Sequence, residues 1–274
     1  MLAFDLDGTL LDDAKALPPE NLRALTEAAE RGMHIVPATG RILRGIPEAV
    51  RALPFIRYYI VSNGAAVFDT EQDSCLYRGD IPLELALRVY DYLDTLPVLY
   101  DCYQDENGWM SRSMYERAAP YFVNEPGILK LVETLRIRVD DLKQTLREHG
   151  RPVQKIQLYF LPGDREERRR QLRRIPELFP ELDATTSVSN NIELNSVRAG
   201  KGRAMLALAE RLGVAPEEIM AFGDGTNDSA MLRAAGLGVA MGNSAAEVKA
   251  AADEVTDSNN DAGLAKVVLR VLNA

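Results

Sequence analysis

The sequence predicts an α/β protein, a doubly wound parallel sheet interrupted by an inserted α+β segment. Three observations predict it. The first 80 residues alternate apolar runs with helical patterns, the same rhythm resumes after about Ser196, and the stretch between them follows another pattern.

In chain order, a strand at Leu2–Asp5 precedes a helix near Pro19–Arg31, with Pro19 in its first turn and Gly32 beyond its end. A strand ending at Thr39, a helix near Ile42–Ala52 and a strand at Tyr58–Ser62 follow, and Ala65–Asp69 with Leu76–Arg78 reads as a small hairpin. From Pro82 to Ser187 the pattern changes: helix Leu83–Leu96, strand-like Val98–Tyr103, Gly108–Arg112 and Val153–Leu161, helix Arg165–Ile175, then strands near Ala184–Val188 and Ile192–Leu194. This suggests an antiparallel sheet faced by helices. The remainder returns to alternation, with helices near Gly202–Leu212, Ser229–Ala235, Ala245–Ala252 and Ala262–Leu272 around strands Ile219–Phe222, Gly238–Ala240 and Glu254–Val255. Residues 1–81 and 188–274 therefore read as a core, and 82–187 as a domain inserted at a loop, where insertions are tolerated.

Composition narrows the function classes. A chain of 274 residues with 46% hydrophobic and 27% charged content is ordinary for a soluble protein. A net charge of −9 offers no general footprint for nucleic acid or an anionic membrane, so any basic site must be local. Cys75 and Cys102 form no CxxC motif and argue against a disulfide framework or structural zinc. With only His34 and His149, histidine triads and histidine-metal schemes have little material, and His34 reads as packed in an apolar strand. No apolar run reaches the roughly 18 residues that span a bilayer, and the first strand begins at Met1, so the expected location is cytoplasmic. The Glu/Arg run Asp164–Arg174 reads as a solvated helix face, and the aromatics Tyr100, Tyr103, Trp109, Tyr115, Tyr121 and Phe122 mostly as core of the insertion.

The chemistry lies at strand ends. Asp5-Leu6-Asp7-Gly8-Thr9 closes the first apolar run with two carboxylates one residue apart, which on a strand would aim to the same side. Such a pair repels itself unless a cation intervenes; an oxygen-preferring divalent ion such as Mg2+ suits it, and a carboxylate can also act as a nucleophile. A second acidic cluster, Gly223-Asp224-Gly225-Thr226-Asn227-Asp228, follows Ile219–Phe222, and in an open α/β sheet such ends converge where ligands collect. Asp228 alone could instead cap the next helix. Ala38-Thr39-Gly40-Arg41 supplies a hydroxyl and backbone N–H groups suited to phosphate oxygens, with a plain helix cap as the alternative for Thr39. Lys201, between Gly200 and Gly202, is one of seven lysines against 25 arginines and opens a helix, or is surface charge.

In order, DxDGT, ATGR, GKG and GDGTND strongly resemble the motifs of the haloacid dehalogenase (HAD) superfamily, in particular its Cof-type, class IIB capped sugar-phosphate phosphatases with a Rossmann-like core. Ser62-Asn63-Gly64 and the tail Ala252–Gly263 extend the resemblance over nearly the whole chain. The resemblance implies that Asp5 attacks phosphorus to give an aspartyl-phosphate and that Asp7 protonates the leaving alcohol and then activates water. It implies Mg2+ held by the Asp5 carboxylate, the Asp7 main-chain carbonyl and Asp224, with Asp228 joining directly or through water, and a phosphoryl group surrounded by Thr39, the Gly40 amide, Lys201 and Asn227. The partner would be a small phosphorylated metabolite, without nucleic acid or membrane, and the insertion would be a cap that sets specificity. A phosphomutase and a phosphometabolite sensor without turnover remain alternatives. Relatives carry more residues before the nucleophile than Met1–Phe4, so the first strand is expected to be short or the start misassigned.

Overall fold

Leu2–Phe4 (β1) is entirely buried, as a strand covered on both faces must be. The computed structural model describes residues 1–274, which fall into two units, Met1–Arg78 with Ala199–Ala274, and Gly79–Arg198. In the first unit β1 leads through α1 (Pro19–Glu30) to β2 (Ile35–Pro37), α2 (Glu48–Arg51), β3 (Tyr58–Val61), β4 (Ala66–Asp69) and β5 (Ser74–Arg78).

Two expectations change here. The helix foreseen over Ile42–Ala52 is a 3-10 turn at Leu43–Gly45 followed by α2. Pro47 explains the break: it disfavours helical backbone at Ile46, which is extended at φ −73° and ψ 132°. The strand at Tyr58 pairs antiparallel with β4 and joins the parallel sheet through the residues just past β2, at the parallel bridge Ala38↔Ile60. Ala38 N donates to Phe4 O and Thr39 N to Ile60 O, so Pro37, two residues before Thr39, lacks the N–H that would extend the ladder toward β3.

The second unit contains α3 (Leu83–Leu93), β6 (Leu99–Gln104), β7 (Asn107–Ser111), α4 (Arg112–Tyr115), α5 (Pro126–Leu135), β8 (Arg136–Val139), α6 (Leu142–His149), β9 (Lys155–Tyr159), α7 (Arg165–Leu178), β10 (Leu182–Thr185) and β11 (Asn191–Ser196). Its sheet runs β10-β11-β9-β6-β7-β8, antiparallel except between β7 and β8. Strand β11 lies beyond the boundary drawn at residue 188. It belongs to the second unit because Ile192 and Leu194 join that unit's apolar core while its backbone pairs with β9 and β10. The alternate residues carry a buried polar network: Arg136 Nε meets Asp101 Oδ2 at 2.7 Å, Arg136 Nη2 donates to the Tyr103 hydroxyl at 3.1 Å, and Lys155 Nζ lies 3.2 Å from Glu193 Oε1. Elements α5, β8 and α6 were not assigned from sequence, although the Asp141 side chain capping α6 and Gly150 ending it are ordinary helix signals.

The chain then returns to the first unit with α8 (Lys201–Leu212), β12 (Met220–Gly223), α9 (Ser229–Ala234), β13 (Leu237–Ala240), α10 (Ala246–Lys249), β14 (Glu254–Val255) and α11 (Gly263–Leu272). The parallel sheet runs β14-β13-β12-β1-β2. Leu2 and Phe4 pack with α1 and α11 on one face, and Ala3 and Ala221 with α8 and α9 on the other. Strand order reverses between β1 and β12, the switch point where doubly wound sheets bind ligands. No helix is long and apolar enough to cross a membrane.

Candidate active site

In the register of β1 and β12, Phe4 lies opposite Phe222, so Asp5 and Asp224 leave adjacent strand ends at the switch point. Asp5 is 8% exposed, and its Oδ1 accepts from Leu6 N at 2.7 Å and from Lys201 Nζ at 2.9 Å. Lys201 is aimed there by the first turn of α8, after Gly200 at φ +125°. Its ammonium also meets Asp228 Oδ1 at 2.6 Å, while Asp228 Oδ2 accepts from Asp224 N at 3.0 Å and Gly225 N at 2.9 Å. Asp224 Oδ1 accepts from the Thr9 hydroxyl at 2.9 Å.

Carboxylate oxygens of Asp5, Asp224 and Asp228 lie within 4.8 Å of one another. Three carboxylates against the one ammonium of Lys201 leave two negative charges when all are ionised. Oxygen donors with that charge deficit fit a hard divalent cation. Burial strongly raises Asp5, Lys201 opposes this, and Asp228, Asp224 and Asp7 add to the rise. Burial and then Asp228 push Asp224 up to about 6. Burial lowers Lys201, but the charges of Asp228 and Asp5 outweigh it and keep the ammonium charged.

These shifts carry a stability consequence for the metal-free protein. A carboxyl raised on folding binds its proton more tightly in the folded state, so its contribution is fullest below the unfolded value of about 4 and declines as the pH rises. For Asp224 the decline ends near its folded value of about 6. Chemical denaturation of metal-free protein should show stability falling between those values, and Mg2+ or Asp224→Asn should lessen the fall. A flat metal-free profile across that window would contradict the arrangement.

Asp7 departs from expectation. Its carboxylate does not turn toward Asp5; it takes a two-pronged ion pair from Arg41, Nε to Oδ2 at 2.6 Å and Nη2 to Oδ1 at 2.7 Å, with Lys15 Nζ at 3.0 Å from Oδ1. The strand ends at Phe4, so the rule placing residues i and i+2 on one side no longer holds at Asp7. Burial raises this carboxyl, but hydrogen bonding and charge from Arg41, with help from Lys15, bring it down to about 2.

Thr39, 1% exposed, lies two residues past the end of β2, and its Oγ1 accepts from Arg41 N at 3.2 Å. Gly40 lies between them in sequence. Asn227 Nδ2 donates to Asn63 Oδ1 at 3.1 Å. In sequence Asn63 stands out only as part of Ser62-Asn63-Gly64, without a role of its own. It links three motifs, because its N–H donates to Thr39 O and its carbonyl accepts from Gly200 N, both at 3.0 Å. Ser62 and Asn63 both have positive φ, a backbone cost that non-glycine residues bear at functional turns. At Gly64, φ +87°, a Cβ would lie 2.4 Å from the Gly200 carbonyl, so only glycine permits this approach.

A family model described as haloacid dehalogenase-like hydrolase matches residues 2–268. The chain is 30% identical over 272 residues to the 5-amino-6-(5-phospho-D-ribitylamino)uracil phosphatase YcsE of Bacillus subtilis, covering 98% of this chain and 94% of that protein. It is 27% identical over 268 residues to the pyridoxal phosphate phosphatase YbhA of Escherichia coli, covering 98% and 97% respectively. A solved haloacid dehalogenase-like hydrolase from Bacteroides thetaiotaomicron superposes with a TM-score of 0.82 at 27% identity, over 98% of both chains.

Proposed function

The chain belongs to the haloacid dehalogenase-like hydrolases and is a phosphatase, and from that premise we propose that it hydrolyses small soluble phosphate monoesters, sugar phosphates foremost, with Mg2+ and an aspartyl-phosphate intermediate. The observation that carries this reading is the buried Asp5–Lys201–Asp228 arrangement beside Asp224. Relatives named as phosphatases of a phosphoribitylamino-uracil and of pyridoxal phosphate support a small phosphorylated metabolite as the substrate.

Asp5 uses Oδ2, the oxygen outside its two hydrogen bonds, to attack phosphorus. The P–O bond to the alcohol breaks as the Asp5–phosphorus bond forms. Lys201, the Thr39 hydroxyl, the Gly40 amide and the Asn227 amide offset charge on the phosphoryl oxygens, which is most of what phosphoryl transfer requires. Asp5, the Asp7 carbonyl, Asp224 and Asp228 would hold Mg2+, which would supply charge neutralisation at the phosphoryl group and the nucleophile. Asp7 gives its proton to the leaving oxygen and then takes one from the water that cleaves the aspartyl-phosphate. It must first come off Arg41, since a carboxylate paired on both oxygens has no proton to give. The second unit acts as a class IIB-type cap and sets which alcohol is accepted.

Phosphate release from a panel of phosphorylated sugars, nucleotides and cofactors, with and without Mg2+, tests the reading. Metal-dependent release from a subset of small monoesters is expected. An isomerised product in place of phosphate would indicate a mutase, and tight binding without release a sensor.

A further inference from the structure

Three asparagine amides hold the turn that follows the nucleophile, and the phosphoryl chemistry uses none of them. Asn243 Nδ2 donates to Gly8 O at 2.9 Å, Asn21 Nδ2 to Leu10 O at 2.8 Å and Asn259 Nδ2 to Leu11 O at 3.0 Å. They come from separate segments: Asn21 from α1, Asn243 from the loop after β13, and Asn259 from the tail after β14. Asn21 is 0% and Asn259 1% exposed, so neither amide can exchange its partner for water.

The asparagines are also tied behind the turn. Asn259 N donates to Asn243 Oδ1 at 3.1 Å, and Asn21 Oδ1 accepts from Ala265 N at 3.1 Å. Asn259 Nδ2 reaches Asp13 Oδ1 at 3.1 Å as well, and Asp13 pairs with Asn260 through Asp13 N to Oδ1 at 3.0 Å and Nδ2 to Oδ2 at 2.9 Å. The side chains of Asn243 and Asn21 each donate to the turn and accept from a second element, whereas Asn259 donates to the turn through its side chain and to Asn243 through its N–H.

The other side of this turn rests on Asp224. Gly8 has φ +83°, and a Cβ there would lie 2.4 Å from Asp224 Oδ2. The Thr9 hydroxyl, fully buried, donates to Asp224 Oδ1. The turn therefore bears on both oxygens of the carboxylate, and its position sets the direction in which they point.

We infer that Asn243, Asn21 and Asn259 are positioning residues for Asp224, acting through Gly8 and Thr9 to preset the carboxylate for the cation. The inference rests on the reading of Asp224 as a Mg2+ ligand. Groups that orient a metal ligand without touching the metal typically change affinity by about 10–100-fold when removed.

Calorimetric titration of the full-length, metal-free protein with Mg2+ alone tests this. Asn243 is exposed, so Asn243→Ala leaves the fold intact, and the thermal midpoint without metal should stay near wild type. Its Mg2+ Kd should rise by about 10-fold. Thr9→Val should raise Kd similarly, and the double variant should lose less than the product of the two single losses, because both changes free the same turn. Thr9→Ser keeps the donor and should retain wild-type affinity. An unchanged Kd in Asn243→Ala, or losses that multiply in the double variant, would overturn the inference while Asp224→Asn still abolished binding. Wild-type affinity in Asp224→Asn would instead overturn the ligand assignment, and the inference with it.

Discussion

Asp5→Asn should abolish Mg2+-dependent phosphate release, with kcat expected to fall by roughly 10⁴-fold because the proposed nucleophile is removed while the binding groups remain. The substitution is isosteric, and the amide oxygen can still accept from Leu6 N and Lys201 Nζ. Folding should survive it. Burial raises the Asp5 carboxyl strongly, so in the metal-free protein its ionised form costs stability at neutral pH. Removing that charge should leave the metal-free thermal midpoint unchanged or higher, whereas Mg2+ should stabilise the variant less than wild type. Phosphate release and intact-mass detection of a phosphoenzyme read the two halves separately. A variant retaining one per cent or more of wild-type kcat, roughly two orders above the expected residue, would remove Asp5 as nucleophile.

Lys201→Met should damage both stability and rate. The Lys201 ammonium is fully buried, as is Asp228, and Asp5 is nearly so; deleting the cation leaves two carboxylates facing each other out of water. Breaking a buried charge pair in this way costs about 3–5 kcal/mol. Loss of a cation at the transferring phosphoryl group should lower kcat by about 10²–10³-fold. The stability loss should shrink in Mg2+, which neutralises the same carboxylates, and at lower pH, where protonation does so. Lys201→Arg keeps the charge, but a planar fork does not fit the space of a point charge between Asp5 and Asp228, so it should recover stability more than rate. Denaturant midpoints with and without Mg2+, set beside kcat for each variant, provide the check. Full wild-type kcat in Lys201→Met would exclude the lysine from the phosphoryl site.

Much of the site was legible because its parts are local. Asp5, Thr39 and Asp224 each follow an apolar run closed by a glycine turn, and the parallel-sheet rule then brings such ends together. The helix over Ile42–Ala52 was a misreading of a local signal, since Pro47 was in view. The second boundary, at residue 188, failed for a different reason. The strand near Ile192–Leu194 reads with the inserted sheet, yet the boundary falls before it, and its pairing with β9 and β10 places the whole of Asn191–Ser196 in the second unit.

What the sequence determined by itself was the alternation of elements, the family, and the identity of the residues at the strand ends. These depend on periodicity and turn chemistry over a few residues. The tertiary structure alone decided which charges meet: that Asp7 turns to Arg41 and Lys15 while Asp5 takes Lys201, that Asn63 joins Thr39 to Asn227, and that Asn243 and Asn259 hold a turn more than 200 residues away. Those pairings follow from rotamers and packing between distant segments. An aspartate carries no local mark of which cation lies beside it once the chain has closed.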